Sequence, residues 1–286
     1  MTARLFLSPF LIVLALFSAG HGRAEESFQS SEEQRDAIAP LIETLRISDL
    51  FEIVRLEGLA HSEELERDMF PGRGRERWPG IVARIYEPDR MRLLLADDMA
   101  SDAPDGMIDG AIAFFETDLG QQILSLELSV REAMLDPSVE AAAQDYLAML
   151  QDDASPRLAL LEEFVEINDL VENNVSAALN ATFAFYTGLN AAGAFDEIRS
   201  EDEILRDIWR QEETIRLDSD LWVMSYLAMA YQPLSDADIR RYIEFGRSAP
   251  GQQVNSALFA GFDIVFRTVS REMGFAAAQF IGGSDL

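Results

Sequence analysis

Apolar residues recur at spacings of three and four along almost the whole chain, the period an amphipathic helix imposes. Ile38, Leu41, Ile42, Leu45, Leu50, Ile53 and Val54 predict one helix or two in close succession, and Pro71-Gly72-Arg73-Gly74 ends that stretch near Phe70. Trp78 to Met99 reads as helical, with Pro88 bending it or opening a new helix. A turn over 101–105 precedes a helix through Phe115. Further helices are predicted from Asp118 to Leu135 and from Ser138 to Leu150, separated by Asp136-Pro137. Asp152 to Pro156 reads as a linker with a helix cap. Beyond it the pattern predicts helices over Leu158–Val175 and Ala177–Leu189, then a long region over Glu201–Tyr231 bent near Leu217–Asp220. A capped helix through Phe245 and a last one to about Ile281 complete the series. No alternating run rich in Val, Ile and Thr is flanked by hairpin turns, so the fold class is all-α.

The chain also echoes itself. Phe114-Phe115-Glu116-Thr117-Asp118-Leu119-Gly120-Gln121-Gln122 returns as Phe245-Gly246-Arg247-Ser248-Ala249-Pro250-Gly251-Gln252-Gln253. A looser echo pairs Ile47-Ser48-Asp49-Leu50 with Ile167-Asn168-Asp169-Leu170, and Leu41 and Glu43 with Leu161 and Glu163. Two related multi-helix units from an internal duplication follow as the expected architecture, over 25–152 and 153–286, forming one elongated or bilobal protein. In each motif a helix ends at Phe114 or Phe245, and Thr117 or Ser248 is placed to cap the next helix. Gly120 and Gly251 permit close approach of another backbone. Gln121 and Gln252 can reach the carbonyls of the preceding helix end. These eight residues are the candidate structural or interaction motif.

The aromatic-x-x-Ser/Thr-x-x-Gly-Gln corner, after a short helix with an acidic cap, resembles the bacterial secreted proteins of domain-of-unknown-function family 2059. The resemblance covers about 96–135 and 228–266. Gly246 departs from the aromatic pair frequent in that family, and Gln122 and Gln253 stand where Lys is common. The resemblance implies an exported helical protein and supplies no established activity.

Composition narrows the chemistry. Asp and Glu number 51 against 23 basic residues, giving a formal charge of −28, and every basic residue is Arg. Such a field disfavours nucleic acid and anionic lipid as partners. The absence of Cys and Lys removes thiolate nucleophiles, disulfides, Cys-based metal sites and lysine Schiff bases. Residues 1–24 carry a short basic start, an apolar run from Leu5 to Phe17 and a small polar end at Ala24. That is a secretory signal pattern, too short for a membrane span, and it predicts a periplasmic or secreted mature chain with no later span.

Of the two histidines, His21 leaves with the signal segment, and His61 reads as a surface or cap residue beside Ser62, Glu63 and Glu64. Asp97, Asp98, Asp102, Asp105 and Asp109 fail the calcium-loop spacing around Gly106 and read as a solvated turn. Arg73, Arg75 and Arg77 read as a loop salt-bridged to acidic helices, and Phe183, Phe185, Tyr186, Phe259, Phe262 and Phe266 as core. No cofactor, metal or catalytic residue is expected. The function expected is binding rather than catalysis, with an unidentified envelope protein as partner. The alternatives are a carrier holding an apolar small molecule in a cavity between the units and, third, a hydrolase.

Overall fold

A computed structural model describes residues 29–101, 103–195 and 198–282, and every regular element among them is a helix. The signal pattern of residues 1–24 lies outside the described residues. In chain order the helices are α1 Gln29–Thr44, α2 Ile47–Met69, α3 Arg77–Ile85, α4 Pro88–Ser101, α5 Met107–Phe115, α6 Asp118–Ala133 and α7 Pro137–Asp152. They continue as α8 Pro156–Ile167, α9 Leu170–Ala191, α10 Glu201–Trp209, α11 Glu212–Ala230, α12 Asp236–Arg247 and α13 Ala249–Ile281.

Two boundaries differ from the sequence expectation. The stretch read as one helix over 158–175 breaks at Asp169, which takes a left-handed conformation with φ 45° and opens α9. The same geometry at Arg46, φ 55°, separates α1 from α2. Glycine is the usual residue for such a turn, and neither position announces it. The second difference lies in 201–231, where the break falls at Arg210–Gln211 and α11 runs uninterrupted through Leu217–Asp220. Pro88, by contrast, opens α4, where its missing N–H costs nothing.

The helices fall into two series with the same neighbours. Helix α2 packs on α1, α3, α4 and α6, and α9 packs on α8, α10, α11 and α13. Helix α1 also meets α4 and α5, as α8 meets α11 and α12; α5 leads into α6 as α12 leads into α13, with packing in both pairs. Across the junction α4 lies on α13 and α6 on α11, a reciprocal exchange of counterparts. Phe114 of α5 and Phe245 of α12 stack there with ring centroids 4.1 Å apart and planes 6° apart. One continuous core runs through both series, from Ile38 and Phe51 to Phe262 and Phe266. This spacing of paired left-handed turns also corrects the register of the looser echo: Arg46 corresponds to Asp169, so Ile47 matches Leu170, not Ile167.

The series differ after the corner. Helix α13 is one 33-residue rod whose length lies along α9. Its counterpart is cut in two: α6 ends at Ala133, Asp136 caps α7 by accepting from Ser138 N at 2.8 Å, and Pro137 takes the first helical position. By register Pro137 stands where Thr268 continues α13. Two glycines let α13 lie close on α9: a Cβ at Gly188 would sit 2.1 Å from the Arg271 carbonyl oxygen, and one at Gly274 would sit 2.1 Å from that of Phe185. Their counterparts on α2 and α7 are Leu65 and Ala143, which bar so close an approach. Helix α7 instead packs on α11 and α8.

Candidate functional site

The two corners are built alike. Thr117 Oγ1 accepts from Gly120 N at 3.1 Å and donates to the Phe114 carbonyl at 2.7 Å. Ser248 Oγ accepts from Gly251 N at 3.2 Å and donates to the Phe245 carbonyl at 2.6 Å. Gln121 Nε2 donates to the Phe115 carbonyl at 2.8 Å and to that of Thr44 at 3.5 Å. Gln252 Nε2 donates to the Gly246 carbonyl and, at 3.3 Å, to that of Ile167. Each Gln thus ties the end of one helix to the last residue of another, two positions before a left-handed turn. A Cβ at Gly120 or Gly251 would strike the carbonyl oxygen of Phe114 or Phe245, at 2.5 and 2.0 Å. These polar groups are engaged inside the chain, and the corner is a joint between helices. Gln121→Leu and Gln252→Leu are each expected to cost about 1–2 kcal/mol by leaving helix-end carbonyls poorly satisfied, measurable as a lowered urea midpoint with unchanged slope.

The gap left by the bend of α6 into α7 is a cleft of about 270 Å³. Helix α2 supplies Glu57, Ala60, His61 and Glu64; α6 supplies Arg131; the turn after it Met134, Leu135 and Pro137; α7 Glu140; and α11 Trp222. On its floor Arg131 is pinned by Glu57 through two hydrogen bonds of 2.8 and 2.9 Å, with both side chains nearly buried, at 6 and 11% exposure. Trp222 is held by parallel stacking on Tyr226, centroids 5.1 Å apart.

Behind Arg131 and Trp222 lies a smaller pocket of about 50 Å³ at the junction of the series, with Glu127 set among Tyr226, Tyr242 and apolar side chains. Tyr231 Oη donates to Glu127 Oε1 at 2.6 Å, and Tyr226 Oη donates to the Glu127 carbonyl at 3.0 Å. An apolar carrier site needs some 300 Å³ or more, so this pocket offers no room for the apolar cargo considered from the sequence.

Burial dominates the electrostatics. It pushes the Glu127 carboxyl up to about 7, although the hydroxyls of Tyr231 and Tyr242 favour the charged form. It raises Glu140 and lowers His61, for which Glu64 pulls the other way. Below its ordinary value Glu127 is protonated folded or unfolded. As pH climbs through 4.5 towards 7 the unfolded chain ionises first, so the folded state loses stability over that window. The loss attributable to Glu127 is expected to be about 2 kcal/mol, allowing for its partial exposure. Glu127→Gln should flatten that slope in urea unfolding measured from pH 4.5 to 8.

The other residues singled out from sequence are dispersed. His61 lines the cleft instead of capping a helix, because α2 runs unbroken past it. Asp97 pairs with Arg35, Asp105 and Asp109 are exposed, and Asp102 lies outside the described residues. Among the described residues the arginine loop makes no ion pair to an acidic helix, where the sequence predicts one. Arg73 Nη1 donates to the carbonyls of Phe280 and Ile281 at 3.2 and 3.0 Å, and the Arg77 guanidinium lies over the Phe280 ring. The loop caps the C-terminus of α13, where cations complement the helix dipole. Phe185, Phe259, Phe262 and Phe266 are buried. Among the described residues no set of three or more His and acidic side chains converges on a metal position, and no helix is long and apolar enough to cross a membrane.

The match to known families falls on this region. Residues 89–148 match the model of the family described as "Uncharacterized protein conserved in bacteria (DUF2059)". The segment spans the first corner, Arg131 and the α6–α7 turn, while the α2 wall of the cleft lies before it. No curated protein and no solved structure matches the chain.

Sequence reasoning passed over Glu57, Glu127, Arg131, Glu140 and Trp222. The signal was present in the comparison of the two series. Counted from the paired corners Thr117 and Ser248, Glu127 stands where the other series has Leu258, and Arg131 where it has Phe262, both buried core residues. Counted from Arg46 and Asp169, His61 stands at Ala184 and Ala60 at Phe183.

Proposed function

We propose that the chain is an exported binding protein, formed by internal duplication, whose cleft beside α7 receives a ligand without transforming it. The observation that carries this reading is the exchange of core for polar residues: Glu127 and Arg131 occupy positions whose counterparts, Leu258 and Phe262, are sealed in the core. Burying such side chains in place of apolar ones costs stability, and a cost kept in only one of two similarly packed series is accounted for by use. The duplication is supported by the shared neighbours, the two left-handed turns and the two identically bonded corners. Export is supported by the signal pattern of residues 1–24.

The hydrolase alternative has one observation in its favour, the imidazole of His61 in the cleft near Glu64. Binding is preferred because Arg131 is occupied by Glu57, and Glu140 stands on a different helix from His61 and Glu64. The test uses mature chain recovered from the cell envelope. An N-terminus at Glu25 and a small molecule released in stoichiometric amount on denaturation are expected. A chain retained in the cytoplasm contradicts export, and an empty chain that turns over ester or amide substrates, with turnover lost in His61→Gln, contradicts pure binding.

A further inference from the structure

Resting on the binding reading, we propose that the cleft takes an organic cation, an ammonium or guanidinium group on a short apolar stem. Its volume of about 270 Å³ equals roughly nine water volumes, which suits a stem of a few carbons and excludes a folded partner. The walls divide accordingly. Met134, Leu135 and Pro137 give an apolar edge at the α6–α7 turn, and Trp222 gives an aromatic ring fixed by its stack on Tyr226. Glu64 and Glu140 stand on opposing helices, α2 and α7, with no arginine among the other lining residues. The one lining arginine, Arg131, is already bound bidentately by Glu57, so the pair is neutral and leaves the cleft net negative.

That acidity is local and does not simply reflect the composition of the chain. By register the counterparts of Glu57, Glu64 and Glu140 in the other series are Asn180, Thr187 and Arg271, none of them acidic. Carboxylates therefore stand at three cleft-lining positions of the first series and at none of their counterparts in the second. A carboxylate pair beside an indole suits a cation that is polar at one end, since a ring face and a negative charge attract it together. The formal charge of −28 draws such ligands in and repels anions. A bare metal ion is a poorer fit, because the His and acidic side chains do not converge on a common point.

The experiment is a calorimetric titration of the mature chain at low salt and pH 7.5 with hexylammonium, hexanoate and hexanol, three probes sharing one stem. Saturable binding of hexylammonium at one site is expected, at least tenfold tighter than either other probe. Glu64→Gln and Glu140→Gln should each weaken it about tenfold, and 0.5 M salt should weaken it further. Amide shift mapping accompanies each titration to report where the probe sits. Equal binding of hexanoate or hexanol at the cleft, or affinity unchanged in both Gln variants, overturns the cation assignment while leaving the cleft as a binding site. If none of the three probes binds or shifts the cleft amides, the cation assignment falls, and the cleft reading then rests on the envelope-isolated chain alone. If that chain also comes away empty, both fall.

Discussion

Glu57→Leu is expected to destabilise the protein by about 3–5 kcal/mol, the largest effect of any single change in the cleft. The reason is the partner it abandons. Arg131 is only 6% exposed, and the structure gives its guanidinium Glu57 as an anion through two hydrogen bonds. Without that carboxylate a permanent positive charge remains in a site that excludes most water. The double variant Glu57→Leu/Arg131→Leu should recover most or all of the loss, since a buried pair replaced by apolar residues is often neutral or stabilising. Phe262, the counterpart of Arg131, is an apolar residue in the same packing position of the other series. Urea unfolding of the two single variants and the double closes the cycle. A double variant no more stable than Glu57→Leu would mean the pair contributes to folding in its own right, and the argument from use would lose its force.

Gly188→Ala should be nearly as damaging, at about 2–4 kcal/mol, although alanine is ordinarily the better helix former by about 1 kcal/mol. The sign is decided by what the methyl meets. It would lie 2.1 Å from the Arg271 carbonyl oxygen and 2.9 Å from the Phe275 backbone N, and backbone atoms of a packed helix cannot step aside as a side-chain tip can. Helices α9 and α13 would have to separate along their shared length, opening contacts around Phe185 and Phe266. Gly80→Ala is the control. Its methyl meets no atom within 4 Å, and α3 should gain up to about 1 kcal/mol. Thermal unfolding of both variants separates the packing effect from propensity, because propensity alone moves both the same way.

The helical class and the corners were legible in the sequence because local signals carry them. Thr117 and Ser248 cap, and Gln121 and Gln252 reach back to helix-end carbonyls, within a span of a few residues. The turns at Arg46 and Asp169 were not legible, since neither carries the glycine that usually marks a left-handed backbone. That in turn set the looser echo three residues out of register. The cleft was hidden for a different reason. Its lining comes from 57–64, 131–140 and 222, which only tertiary packing brings together. Pro137 announced a break in the helix, but not that the break would carry α7 over to α11. With the register corrected, Arg131 opposite Phe262 and Glu127 opposite Leu258 become visible in the sequence as polar substitutions in a core pattern.

The most direct measurement is hexylammonium binding to Ala60→Phe, compared with the parent chain at equal concentration. Ala60 is exposed on the α2 wall of the cleft, and Phe is what the other series carries at the corresponding position, Phe183. The ring should occupy the cleft without disturbing Glu57, Arg131 or the core, so the melting temperature should stay within a degree or two while calorimetric binding disappears. Binding that survives in a folded Ala60→Phe would place the ligand elsewhere and contradict the account.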